Sequence, residues 1–202
     1  PHSPQRSSWW LRPATGIDLG RSSPYREVMT TIADPRQDEI DAFWTEARMR
    51  ANLNRLEVYC GPTELDSLQP PASSFGGSRE VADKLADLIV AGTKTATSSA
   101  VWDWEADGDD LPRRGDLEIV LDGSGHPRAL IVTTAVEIVP FDEVDAEHAR
   151  LEGEGDQSLA HWRAVHEDFF TEHAAHDHGF ASDMPIVCQR FEVLHSRQRP
   201  AG

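Results

Sequence analysis

The sequence predicts an α+β fold in which a small mixed or antiparallel β-barrel carries flanking helices. The order of the elements along the chain indicates this class. Helix patterns come first along the chain, strand patterns occupy the middle, further helix patterns are inserted, and a strand pattern comes last. This interleaving differs from the repeated strand-helix alternation of a doubly wound parallel sheet. The 202 residues are enough for one domain with a sizeable core, or at most for a domain with appendages.

The first segment, residues 1–28, differs in character from the rest of the chain. It contains four arginines against Asp18 and Glu27, scattered Pro and Ser, and no hydrophobic periodicity, and Met29 follows it. We therefore expect it to be vector-derived or upstream sequence, or else a disordered arm. The predicted domain spans residues 29–202 and begins with a helical extension.

The first predicted helix lies in PRQDEIDAFWTEARMRANL, residues 35–53. Its acidic residues are concentrated near the start, where the helix dipole favours negative charge. Its apolar residues recur at helical spacing and share one face: Ile40, Phe43, Trp44 and Ala47.

The second predicted helix follows PPASS, residues 70–74, which we interpret as a loop. SREVADKLADLIVAG has Ser78 as its N-cap and Gly92 as its stop. One apolar stripe is predicted to face the core: Val81, Leu85, Leu88 and Ile89. A strand of moderate β-propensity is expected after it, from Thr95 to Val101.

The remaining elements have clearer patterns. Residues 116–122 and 128–141 flank the turn sequence GSGHP and predict a β-hairpin, whose second strand is long enough to bend around a barrel. Residues 185–195 predict another strand. Between them, residues 144–176 predict two helices separated by glycines.

The composition restricts the class of ligand. The formal charge is −16 and the pI is about 4.8, which oppose extended contact with a phosphate backbone, since such contact depends on Lys and Arg. We expect a nucleoside or a short strand instead. Cys60 and Cys188 form no disulfide framework or metal-ligand pattern, which suits a reducing cytoplasm. No apolar run reaches the length of a membrane span.

The stretch AGTKTATSS, residues 91–99, contains an informative lysine. Lys84 and Lys94 are the only lysines beside 17 arginines, the remainder of the 19 basic residues. Burial can change the protonation of an ammonium group, whereas arginine stays charged. Lys94 is therefore a candidate for chemistry. The alternative is that it complements the C-terminal end of the preceding helix.

The stretch LEGEGDQS, residues 151–158, contains three acidic residues at alternating positions: Glu152, Glu154 and Asp156. Ser158 is a predicted N-cap of the next helix with Asp156 near its positive end, so some of these acids are structural. The glycines around them also allow the backbone to direct one carboxylate inward, as a general base or as a partner for a lysine.

Two further groups of residues have alternative interpretations. Trp102 and Trp104 would share one side of an extended chain and form a platform for a stacked base, although core packing is the commoner role. His173 and His176 have helical spacing suited to a metal, although a solvated helix end is the usual outcome. We expect neither a metal nor a cofactor.

The run from about Phe75 to Glu192 resembles a bacterial member of the ASCH family. The resemblance depends on GxKTxT in AGTKTATSS, on EGEGDxSLxxW in EGEGDQSLAHW, and on the closing CQRFEV strand. It implies a PUA-like β-barrel with flanking helices and a connection with RNA or nucleosides. Ser98 and Ser99 occupy the place of an arginine that often follows the family's threonine.

The resemblance also implies an activity. Small members of this superfamily hydrolyse N4-acetylcytidine with a lysine, a threonine three residues later and a downstream glutamate, which correspond here to Lys94, Thr97 and Glu152. Thr97 would be the nucleophile or would orient water, Lys94 would activate it or stabilise the oxyanion, and Glu152 would carry the proton. The alternatives are a ribonuclease and a non-catalytic RNA-binding module.

The expected substrate-binding residues are neighbours of these three. They are Thr95, Trp102, Trp104 and Glu154. We expect a cytoplasmic, metal-independent enzyme, and the sequence leaves open its acyl specificity, its oligomeric state and whether its target is a free nucleoside or RNA.

Overall fold

The structure is a computed structural model that describes residues 32–51 and 69–198. Within these residues there are five α-helices: α1 (Gln37–Arg50), α2 (Arg79–Val90), α3 (Val101–Asp107), α4 (Ala146–Glu152) and α5 (Leu159–His173). The same residues form five strands: β1 (Ala72–Ser74), β2 (Ala96–Ala100), β3 (Leu117–Leu121), β4 (Pro127–Pro140) and β5 (Pro185–Ser196). The segment 1–28 lies outside the described residues, so its separation from the domain stays a prediction.

The strands form one mixed sheet in the order β1-β3-β4-β5-β2. β1 is parallel to β3, and the other neighbouring strands are antiparallel. The register between β4 and β5 shifts at Leu130/Ile131 and at Thr133/Ala135. Such irregularities increase the local bend and twist of a strand, and the sheet curves into a half-barrel flanked by the helices. The predicted α+β class, the hairpin β3-β4 and the last strand are confirmed.

Helix α1 packs on the sheet with the face that the sequence predicted. All four predicted apolar residues are buried: Ile40, Phe43, Trp44 and Ala47. They pack in one cluster with residues of β3 and β4, among them Ile119, Leu121 and Leu130. Burial of an apolar side chain contributes roughly 1.5–3 kcal/mol, so this face accounts for the position of α1.

Helix α2 begins at its predicted cap, since the Ser78 side chain accepts a hydrogen bond from the Val81 N–H. Its stop is also confirmed, and Gly92 has a φ of +73°. The predicted buried stripe is partly wrong. Val81 is 39% exposed, and the small residues Ala82 and Ala86 are buried instead. Leu85 and Ile89 are buried as predicted, Leu88 is half-buried, and Val81 faces a cavity.

The interpretation of residues 70–74 as a loop is wrong for three residues. Ala72–Ser74 form β1, which pairs with β3 from Ala72↔Ile119 to Ser74↔Leu121. Alanine and serine have little preference for strands. The strand forms because β3 offers an edge to pair with, and nothing in the local sequence indicates this.

The described residues contain no helix that is both long enough and apolar enough to cross a membrane.

Candidate functional site

A cavity of about 370 Å³ lies between α2, the preceding loop and α5. Its apolar walls include Phe75, Val81, Leu85, Val165 and Phe169. Its polar end is formed at the start of β2, at the end of α4 and on α5, by Lys94, Thr97, Ser98, Glu152, Glu154 and His166. The structure thus brings the three predicted catalytic residues to one end of one cavity.

Lys94 is fully enclosed at this end, with 1% of the residue exposed. Its Nζ donates hydrogen bonds to Glu152 Oε2 at 2.7 Å and to Glu154 Oε1 at 2.6 Å. Burial alone would lower the pKa of Lys94, but the charges of the two glutamates outweigh it and raise the pKa above its ordinary value. Lys94 is therefore an ammonium group. It contacts two carboxylates, so its role is not limited to complementing the C-terminal end of α2.

Close backbone contact fixes the separation of the lysine and the carboxylates. The Thr95 N–H donates to the Leu151 carbonyl at 2.8 Å, which joins the start of β2 to α4. Gly153 ends α4 with a φ of +71°, and a Cβ built there would lie 2.6 Å from the Thr93 carbonyl oxygen. A side chain at this position would push the two segments apart, so glycine is required for the approach.

The Glu152 carboxylate is the centre of a buried network. Its Oε1 accepts hydrogen bonds from Ser98 Oγ at 2.6 Å and from Trp162 Nε1 at 2.8 Å, while Oε2 accepts from Lys94. Burial would raise the pKa of Glu152, but Lys94, His166 and His148 lower it well below the ordinary value. Glu152 is therefore ionised and already accepts three hydrogen bonds.

Ser98 links this carboxylate to a second histidine. Ser98 Oγ lies 2.9 Å from His148 Nε2. An ionised carboxylate only accepts, so the single hydroxyl proton of Ser98 goes to Glu152. His148 Nε2 must then carry a proton and donate it to Ser98. Ser98, itself held by His148, therefore fixes the position of the Glu152 carboxylate.

The other two acids differ in surroundings. Glu154 contacts Lys94 and lines the cavity, with 26% of its side chain exposed. Asp156 accepts a hydrogen bond from the Ser158 N–H at 2.9 Å, and the predicted cap is confirmed, since the Ser158 side chain accepts from the His161 N–H. Asp156 therefore supports the turn before α5.

The two predicted threonines lie at different places. Thr97 is 8% exposed and lines the cavity beside Ser98. Thr95 is outside the described lining, and its Oγ1 lies 3.4 Å from the Leu151 carbonyl oxygen, at the contact between β2 and α4.

The prediction that Trp102 and Trp104 share one side of an extended chain is wrong, because both lie in helix α3. Residues two apart on a helix are about 200° apart around its axis. Trp102 packs against the rings of His176 and His178. Trp104 donates from Nε1 to Ser99 Oγ at 3.0 Å. Neither is among the described residues that line the cavity.

The two histidines whose helical spacing would suit a metal, His173 and His176, lie in different surroundings. His173 stacks on Phe169 at the cavity, whereas His176 packs beside Trp102 with Nε2 3.8 Å from Asp103 Oδ1. Among the described residues, no group of three or more His, Cys, Asp or Glu side chains is arranged to hold a metal ion.

The sequence interpretation assigned no role to four members of the network: Ser98, His148, Trp162 and His166. A signal for two of them exists. Trp162 and His166 are four residues apart in the predicted helix, and such residues lie on one face. Ser98 and His148 come together only because distant segments of the chain pair, and nothing in the sequence around either residue indicates this.

The charge of the cavity is negative in the described part of the chain. Its single cation is Lys94, and the two carboxylates bound to Lys94 already exceed its charge. The other titratable lining residues are Asp168, Glu172, His166 and His173. This lining favours neutral or cationic ligands over anions.

Comparison with known proteins gives consistent matches. The ASCH domain model matches residues 71–195. A solved protein from Enterococcus faecalis, described under the family model DUF984, is 36% identical with a TM-score of 0.64, and the match covers 78% of this chain and 88% of that one. An ASCH domain from Lactobacillus crispatus is 29% identical with a TM-score of 0.59, covering 72% and 94% of the two chains. No curated protein matches the chain significantly.

Proposed function

The chain belongs to the ASCH domain family, and from this premise we propose that it is a hydrolase that cleaves the amide of an N4-acylated cytidine. The predicted PUA-like fold, which is often linked to RNA binding or hydrolysis, is established by the same matches. The observation that carries the proposal is the buried Lys94 ammonium held by two carboxylates at the polar end of the cavity.

The arrangement supports amide hydrolysis through charge stabilisation. Attack on an amide carbonyl places negative charge on its oxygen, and a fixed, buried ammonium group stabilises that charge. Lys94 supplies this group. Glu152 holds Lys94 in place, and Thr97 supplies or orients the attacking oxygen. Removal of one such charge-stabilising donor commonly costs about 100-fold to 1000-fold in rate.

The cavity supports a nucleoside over a phosphorylated ligand. Its volume of about 370 Å³ falls within the usual range of about 300–1000 Å³ for small-molecule sites. Phe75 and Phe169 offer apolar surface for a pyrimidine ring. A phosphate would meet Glu154 beside a lysine that is already paired, and would be repelled. These features favour the amide over the ribonuclease and RNA-binding alternatives.

The test compares substrates directly. Purified protein is incubated with N4-acetylcytidine or with a short single-stranded RNA, each with and without a chelator, and the products are separated by chromatography. We expect release of cytidine, unaffected by the chelator, and intact RNA. RNA cleavage, or RNA binding without turnover of either substrate, would contradict the proposal.

A matched pair of acid variants assigns the activity to the site. Glu152→Gln should lower the turnover of N4-acetylcytidine at least about 100-fold, because Lys94 loses the carboxylate that holds its charge in place. Asp156→Asn changes an acid of the same segment that lies outside the described cavity lining, and should leave turnover within about threefold. Equal effects of the two substitutions would place the reaction elsewhere.

A further inference from the structure

His166 is held rigidly at the polar end of the cavity. It lies on α5 one turn after Trp162, and its ring stacks on the Trp162 indole with centroids 4.2 Å apart and an interplanar angle of 19°. Its Nδ1 lies 2.9 Å from the Trp162 carbonyl oxygen. His166 lines the cavity, and its side chain is 12% exposed.

The backbone contact determines which ring nitrogen carries the proton. A carbonyl oxygen only accepts hydrogen bonds, so His166 Nδ1 must be the donor. In the neutral ring, Nε2 is then unprotonated and basic. Nε2 lies 3.5 Å from Glu152 Oε1. A proton taken up at Nε2 would therefore lie beside a carboxylate, which stabilises the resulting imidazolium.

Three of the other polar groups at this end, Lys94, Glu152 and Ser98, are poorly suited to accept a proton. Lys94 is an ammonium group without a free electron pair. Glu152 already accepts three hydrogen bonds, and its pKa lies well below the ordinary value. The Ser98 hydroxyl is engaged with Glu152 and His148.

Burial leaves His166 neutral. Burial, the largest effect, lowers its pKa from the ordinary value of 6.5, and Lys94 lowers it further. Glu152 on α4 and Glu154 in the following turn raise the pKa but do not outweigh these effects. At physiological pH the ring is therefore the neutral imidazole that a general base requires.

We propose that His166 is the general base of the hydrolysis, with Nε2 as the proton acceptor. This inference rests on the proposed amide hydrolysis. Nε2 removes the proton of the attacking oxygen as the C–O bond forms, and Lys94 stabilises the carbonyl oxygen. The C–N bond then breaks, and the proton passes from Nε2 to the leaving N4 nitrogen. With water, the products are a carboxylic acid and the free amine, and His166 returns to its neutral form.

The kinetic test uses His166→Asn. The asparagine amide replaces Nδ1 as a donor to the Trp162 carbonyl but cannot accept a proton. With N4-acetylcytidine, we expect kcat to fall at least about 100-fold with KM little changed. In the wild type, kcat should fall as the pH drops through the His166 pKa and protonates the base. His166→Asn should lack this acidic limb.

The matched control is His195→Asn. His195 also has a lowered pKa, but it packs against Phe43 of α1 and is not among the described residues of the cavity lining. This variant should keep the wild-type kcat and acidic limb.

Imidazole added to His166→Ala should restore part of kcat, because it replaces the missing base. A His166→Asn enzyme with wild-type kcat and pH profile would overturn the proposal.

An independent measurement distinguishes this inference from the proposed function. NMR of histidine ¹⁵N signals in the full chain should show neutral His166 with its proton on Nδ1 and a pKa below 6.5, and Glu152→Gln should lower that pKa further. A proton on Nε2 would overturn the base assignment. If the wild-type protein is inactive on N4-acetylcytidine, the proposed substrate is wrong. The NMR result would still test the protonation state of His166 independently.

Discussion

Replacement of Lys94 by methionine should destabilise the fold strongly at neutral pH. Methionine fills a similar length of the site but leaves the buried Glu152 carboxylate without its ammonium partner. Removal of one member of a buried pair costs about 3–5 kcal/mol. Glu152 keeps its hydrogen bonds from Ser98 and Trp162, and Glu154 is partly exposed, so the lower end applies. A loss of about 3 kcal/mol corresponds to a fall in Tm of about 6–12 °C in a domain of this size.

The pH dependence gives a second readout. In the wild type the pKa of Glu152 is lowered, so this group contributes stability above its unfolded pKa, near 4.5, and the contribution is lost as pH falls through the lowered value. In Lys94→Met the pKa of Glu152 rises, because the lysine charge no longer favours the carboxylate. The difference in the free energy of unfolding between Lys94→Met and the wild type should therefore be largest at neutral pH and become smaller at acidic pH.

The assay is thermal and urea unfolding at neutral and acidic pH, with Lys84→Met as the control. Lys84 is the other lysine of the chain and is exposed on α2, so its replacement should change the free energy of unfolding by no more than about 0.5 kcal/mol. If Lys94→Met is as stable as Lys84→Met at neutral pH, the reasoning from a buried, charge-paired lysine is refuted.

Three further predictions concern the lysine, the ligand and the N-terminus. Lys94→Arg should fold but lose at least about 100-fold in turnover of N4-acetylcytidine, because the planar guanidinium does not fit an enclosed ammonium site; wild-type turnover would remove the catalytic role. Affinity for N4-acetylcytidine, measured by calorimetry, should depend little on salt, because a neutral ligand releases no counterions, and a steep fall would favour RNA. Deletion of residues 1–28 should leave Tm nearly unchanged, whereas a loss of several degrees would mean that they dock on the domain.

Apolar periodicity predicted most of the elements, although it placed Val81 of α2 in the core and Val81 lines the cavity instead. The four buried residues of α1 recur at helical spacing, and the β3-β4 hairpin has strong strand formers on both sides of a glycine turn. The errors occur where tertiary contacts decide. Ala72–Ser74 form a strand only because β3 is available for pairing. Trp102 and Trp104 have strand-like composition, yet Val101–Asp107 form a helix.

The candidate site was predictable only in part. The resemblance selected Lys94, Thr97 and Glu152, and the structure places all three at one end of the cavity. Glu152 finds its further partners across long sequence separations, with Ser98 54 residues away. Such contacts follow from the pairing of α4 with β2 and leave no trace in local spacing. His166 differs, because its position four residues after Trp162 was visible in the sequence.

The backbone bond between Thr95 and Leu151 has a consequence for how the protein avoids aggregation. β2 is the last strand at one edge of the sheet, and the unpaired backbone groups of an edge strand can recruit a strand of another molecule. α4 lies against β2 at this edge, and its last residue is Glu152. We therefore expect the element that brings the carboxylate to Lys94 to shield part of this edge as well, so that substitutions that loosen the turn at Gly153 promote self-association as activity is lost.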